Sequence, residues 1–112
     1  MDRRLLGKIG EDCAARILRA KGYDILHRNY RCSMGEIDII ASKNDTIAFI
    51  EVKTRSGNSY GRPCEAVDFC KQRHIRSAAL CYMKETEGDR KGAVKISFDV
   101  MEITVEHIDN AF

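Results

Sequence analysis

Leu5, Leu6, Ile9, Cys13, Ile17 and Ala20 recur at spacings of three and four, the mark of an amphipathic helix, and Gly22 stands where a left-handed cap would end it. Alternation of Tyr23, Ile25 and His27 predicts a strand over Tyr23–Asn29. Two stronger strands, Glu36–Ala41 and Thr46–Thr54, are separated by Ser42-Lys43-Asn44-Asp45, whose Asn and Asp favour a turn. The stretch from Ser56 to Pro63, dense in Gly, Ser and Asn, reads as a mobile flap. Helical spacing returns with Cys70, Ile75, Ala78, Ala79 and Tyr82, predicting a second helix from about Asp68 to Glu87 that Gly88 terminates. Val94, Ile96, Phe98 and Val100 alternate as a strand, and a further short strand is expected over Met101–Val105. Helices and strands in this order predict an α/β fold with a mixed sheet.

Composition narrows the class without changing the picture. The 112 residues are 44% apolar and 32% charged with a single Pro, which fits one core over residues 1–112 and argues against disorder. No apolar stretch approaches the roughly 18 residues of a membrane span, and Met1-Asp2-Arg3-Arg4 leads straight into the first amphipathic pattern. A soluble, cytoplasmic protein with no membrane partner is therefore expected. Nineteen Lys and Arg against seventeen Asp and Glu leave a net charge of +2, so any basic surface must be local. The five cysteines, Cys13, Cys32, Cys64, Cys70 and Cys81, contain no C-x-x-C pair and read as reduced, partly buried thiols. His27, His74 and His107 show no metal-ligand spacing.

Candidate chemistry lies in the central hairpin. Thr46 to Ile50 is almost continuously apolar, as in a strand covered on both faces, and charges then appear at alternate positions, Glu51 and Lys53. With Asn44-Asp45 as a two-residue turn, Ile40 faces Phe49 and Asp38 lies opposite Glu51; a four-residue turn makes Asp38 a diagonal neighbour instead. Either register brings the carboxylates together. Two unit charges about 4 Å apart repel by about 4 kcal/mol at an effective dielectric of 20. Lys53 offsets part of this, and a divalent cation would do so more completely; carboxylate and water oxygens suit hard, octahedral Mg²⁺. A basic group beside such an ion can orient or help deprotonate an attacking water. The competing reading is structural: inward charges protect an edge strand from aggregation, and Glu–Lys pairs often only decorate a surface. Gly7, Glu11, Ala14 and Leu18 share a helical stripe, so Glu11 on the first helix is a third candidate acid. Glu36 is expected first as a salt-bridge partner of Lys53 and only then as a ligand.

These residues resemble a known pattern. Gly35-Glu36-Ile37-Asp38, a short hairpin and Ile50-Glu51-Val52-Lys53-Thr54-Arg55 are similar to the D…E-x-K signature of the PD-(D/E)xK nucleases, whose restriction-endonuclease-like core runs αβββαβ, a mixed sheet flanked by helices. More closely, the chain resembles the YraN-type uncharacterised bacterial family, relatives of the archaeal Holliday-junction resolvases. The likeness runs from Gly7-x-x-Gly10-Glu11 through Gly22-Tyr23, Arg28-Asn29-Tyr30, Glu65-Ala66-Val67, Lys71-Gln72-Arg73 and Phe98-Asp99-Val100 to His107-Ile108 and Asn110-Ala111-Phe112. Ile37 stands where the superfamily carries Pro.

The resemblance implies a metal-dependent DNA endonuclease, structure-selective as resolvases are. Asp38, Glu51 and Glu11 would serve Mg²⁺, with Mn²⁺ as substitute, and Lys53 would be the catalytic lysine. The partner would be branched or otherwise non-B-form DNA, and a homodimer would follow, because a symmetric junction needs two cuts. Arg55, Arg62, Lys71, Gln72 and Arg73 are the foremost candidates for contacts to phosphates; Arg3, Arg4, Lys8, Arg28, Arg31 and Arg76 are further ones. The alternative is a non-catalytic nucleic-acid-binding or partner-docking module that retains the nuclease fold. No aromatic platform or recognition-helix motif suggests base readout.

Overall fold

The structure is a computed structural model that describes residues 2–56 and 67–112. Helix α1 (Arg3–Ala20) is capped by Asp2, whose side chain accepts from the Arg4 amide, and Gly22 follows it with φ +94°, the left-handed geometry expected there. Three antiparallel strands come next, β1 (Asp24–Cys32), β2 (Gly35–Lys43) and β3 (Thr46–Ser56). Helix α2 (Phe69–Glu85) precedes β4 (Lys95–Val105), which pairs parallel to β3 and completes a sheet of order β1-β2-β3-β4. This is the αβββαβ order of the restriction-endonuclease-like core. Two details differ from expectation. Met101–Val105 is no separate strand but the second half of β4, and α2 gives way at Thr86 to a short 3-10 turn over Glu87–Asp89. Of the flap expected over Ser56–Pro63, Ser56 is the last residue of β3, and the rest, with Arg62, and Cys64 beyond it lie outside the described residues.

The helices cover opposite faces of the sheet. Ile75, Ala78, Ala79 and Tyr82 of α2 pack on Ile40, Ile47 and Phe49, while Ala14, Ala15 and Leu18 of α1 pack on Ile39, Ala41, Ala48 and Ile50. The run Ile47–Ile50 is thus buried on both sides, as its continuous apolarity required. On α1 the contact is made by Gly10, Ala14, Ala15 and Leu18, whereas Leu5 and Ile9 of the bulkier stripe stay about half exposed at 51% and 41%. The reason is close approach: a Cβ on Gly10 would lie 1.8 Å from Thr54 Oγ1 on β3, so the helix backbone rests directly on the strand.

The central hairpin has the two-residue turn, with Asn44 at φ +55°, and the register Lys43↔Thr46, Ile40↔Phe49, Ile39↔Ile50. Ladder pairing stops there, one step before Asp38 and Glu51. Alternation in β2 also breaks at this point, because Ile37 joins the α2-side cluster and Ile39, two residues on, the α1-side cluster. Counting along the β1–β2 register places Asn29, with a left-handed φ of +53°, opposite Asp38. The irregularity turns the Asp38 carboxyl away from a plain strand face and toward β3.

Candidate metal and phosphate site

Asp38 takes over where the ladder ends. The Val52 amide donates to its Oδ2 at 2.8 Å, so the side chain replaces the next inter-strand hydrogen bond and fixes itself beside Glu51. Burial pushes the Asp38 carboxyl up to about 7, reinforced by the charges of Glu51 and Glu11; the Val52 amide and the Lys71 ammonium pull the other way. Glu51 is 8% exposed, the one charged residue in the buried set among the described residues. Such a charge is stable only with a partner. Its partner comes from α2, where Lys71 Nζ lies 2.6 Å from Glu51 Oε1 and that bond raises the lysine's pKa.

Glu11 reaches the same place from α1. Asp38, Glu51 and Glu11 line one open cleft of about 660 Å³, together with Arg3, Gly7 and Thr54. Glu11 Oε1 is buried with no hydrogen-bond partner among the described residues, and burial raises its pKa against the pull of the nearby Arg28 guanidinium. The three acids therefore share a cleft, as the hairpin count and the helix stripe predict. Among the described residues, however, no three acids are already drawn close enough to share one ion.

The other expected site residues divide. Lys53 is partly buried two residues beyond Glu51, opposite Glu102 in the β3–β4 ladder, and makes no ion pair among the described residues. Glu36 does not meet Lys53: it is exposed and pairs with Arg31 across the β1–β2 ladder at 3.3 Å, because β2 turns its alternation at Asp38. Arg55 is held by an ion pair to Glu102 of β4. Gln72 Nε2 donates to the Val67 carbonyl at 2.7 Å, which ties down the start of α2. Arg28 is committed to Asp12 at 2.7 Å. Arg73 is exposed and uncommitted among the described residues.

Sequence reasoning missed the bond from Lys71 to Glu51. The run Lys71-Gln72-Arg73 reads in sequence as candidate phosphate contacts at the start of a helix, and no counting rule links Glu51 to a residue twenty places further on. A second cavity, of about 260 Å³ and mostly apolar, borders Glu51 on the α2 side between Phe49, Ile75 and Phe98, with the Arg76 guanidinium 4.7 Å from the Phe98 ring centre.

No helix among the described residues is long and apolar enough to cross a membrane. Residues 10–103 match the uncharacterised protein family UPF0102. A UPF0102 protein of Caldicellulosiruptor saccharolyticus is 43% identical over 103 residues, covering 92% of this chain and 85% of the relative. One from Nocardia farcinica is 46% identical over 102 residues, covering 91% of this chain and 78% of its own. Another, from Dictyoglomus turgidum, is 40% identical across the whole of both chains. With that extent of likeness beside an αβββαβ fold and an Asp38–Glu51 hairpin, the chain belongs to the UPF0102 family, the YraN family.

Proposed function

We propose that the protein is a Mg²⁺-dependent endodeoxyribonuclease of the cytoplasm that hydrolyses a phosphodiester in branched or otherwise non-B-form DNA, with Mn²⁺ as substitute. The observation that carries this reading is the convergence of Asp38, Glu51 and Glu11, from three separate elements, on one cleft. The donor set fits a hard cation: every candidate ligand is a carboxylate oxygen, and Glu11 Oε1 is buried without a partner among the described residues. Asp38 and Glu51 would hold the ion, with Glu11 completing the set directly or through water. Once bound, a divalent cation supplies charge neutralisation on the phosphate and lowers the pKa of its water.

The chain's own groups do the rest. Lys53, free of ion pairs among the described residues, orients the attacking water and steadies the charge that develops on the phosphate. Arg73 offers a guanidinium, uncommitted among the described residues, to the DNA backbone, and Lys71, Gln72, Arg55 and Arg62 remain the other candidates by sequence. Dimerisation belongs to the same proposal, since two symmetric cuts need two sites.

Cleavage of four-way-junction and nicked DNA with Mg²⁺ or Mn²⁺ tests it. Asp38→Ala and Lys53→Ala should each slow cleavage by about 10²–10⁴-fold; unchanged rates in both would remove the reading. Two observations favour a second reading, a nucleic-acid-binding or partner-docking module without catalysis: a lysine already occupies Glu51, and among the described residues the acids are not gathered around one point. That reading predicts DNA binding that weakens with salt and no cleavage under any metal.

A further inference from the structure

Lys71 stands where a cation would. Glu51 is buried and sits beside Asp38 and Glu11, and the only positive charge bonded to it among the described residues is the Lys71 ammonium at 2.6 Å from Oε1. We propose that Lys71 is a tethered counter-ion for the metal site: it holds the carboxylates in place in the metal-free chain and is displaced from Glu51 when a divalent cation binds. The inference rests on the metal reading of the cleft and concerns how the site is filled.

Three features support it. First, a monovalent ammonium and a divalent ion cannot share one carboxylate oxygen without strong repulsion, so loading the cleft through Glu51 Oε1 requires the ammonium to leave. Second, leaving is open to it. Lys71 is in the first turn of α2, where its amide is fixed by Asp68 Oδ1 at 2.8 Å, but its side chain is 47% exposed and carries four rotatable bonds toward solvent. Third, the neighbouring groups do not share the task. Gln72 is bonded to Val67 and Arg55 to Glu102, while Lys53 makes no ion pair among the described residues. A mere surface pair would not have one partner almost fully buried.

The consequence is competition. The chain's affinity for a divalent cation is lowered by the cost of breaking the Lys71–Glu51 bond, and a neutral side chain of similar length should release it. Titration of Mn²⁺, followed by the electron-spin resonance of the free ion, compares the wild type with Lys71→Met. The variant should bind Mn²⁺ about tenfold more tightly. Equal or weaker binding by the variant would overturn the proposal.

A second measurement does not depend on the variant. In the wild-type chain an amine-acylating reagent followed by mass spectrometry should label Lys71 slowly without metal and several-fold faster at saturating Mg²⁺, while the labelling of exposed Lys8 stays constant. Unchanged labelling of Lys71 at saturating Mg²⁺ would also overturn it and leave the metal site standing. Absence of Mn²⁺ binding in both wild type and variant would instead sink the metal reading, and this inference with it.

Discussion

At the scale of single residues, the site is built against its own stability. Asp38 is an acid whose burial beside Glu51 and Glu11 lifts it to about 7, far above its ordinary value of 3.8. Between those two values the folded chain binds more protons at this position than the unfolded chain does. Stability must therefore fall as pH rises through the window from about 4 to 7, with the full cost present above it. In chelator, the melting temperature of the wild type should drop between pH 5 and pH 8, and Asp38→Asn should flatten that drop. The amide oxygen still accepts from Val52, so the variant should be more stable at pH 8 by about 1–3 kcal/mol, the scale of a poorly compensated buried polar group. A variant no more stable than wild type at pH 8 would show that the acid carries no such cost. The carboxylates were legible because a two-residue turn fixes register over a few positions, and Ile40 does face Phe49. Lys71 was not legible, because its meeting with Glu51 is set by where α2 docks and not by local spacing.

The elements explain how three acids from distant positions meet. Helix α1 delivers Glu11 only because Gly10 lets its backbone rest on Thr54 of β3. Apolar periodicity gave the helix correctly, but it could not rank two stripes, and the one that packs is the smaller, Gly10, Ala14, Ala15 and Leu18. Small residues win at this interface because the distance between helix and strand decides the contact. Two glycines of the motif therefore respond with opposite signs. Gly7→Ala meets nothing within 4 Å among the described residues and should raise stability by about 0.5–1 kcal/mol through the gain in helix propensity. Gly10→Ala drives a methyl into Thr54 and should lower it by about 1–3 kcal/mol, lifting α1 and Glu11 off the sheet. Denaturant midpoints of the two variants check this, and equal shifts would contradict the close packing. A similar constraint acts on β2, where Gly35 at φ +155° lies under α2 and a Cβ there would come within 2.9 Å of the His74 carbonyl oxygen. The fold class came through from the order of patterns alone, while the union of two expected strands into β4 did not, because Met101–Val105 continues the same parallel ladder along β3 without a break.

Across the whole molecule, a nearly balanced charge of +2 conceals how many cations are already engaged. Arg28 bonds Asp12, Arg31 bonds Glu36, Arg55 bonds Glu102 and Lys71 bonds Glu51. Each pair joins two elements, and the pair at Glu51 ties α2 to β3 at the point where β2 and α1 also arrive. A cation bound there would engage α1, β2 and β3 at once and would have no preformed counterpart in the unfolded chain, so its binding energy would be folding energy. At a free concentration one hundred times its dissociation constant, an ion bound only by the folded state adds about 2.7 kcal/mol. For a domain of this size that corresponds to a rise in melting temperature of about 10 °C. Saturating Mn²⁺ should produce such a rise, chelator should reverse it, and Asp38→Ala should abolish it while the unfolding transition stays cooperative. The size of the shift in Lys71→Met separates two ways in which the elements can be held. If the ammonium and the ion occupy the same oxygen in turn, the variant starts from a lower melting temperature in chelator and gains more from Mn²⁺ than the wild type does. An identical gain would mean that the lysine and the ion bind independently, each tying its own set of elements to Glu51.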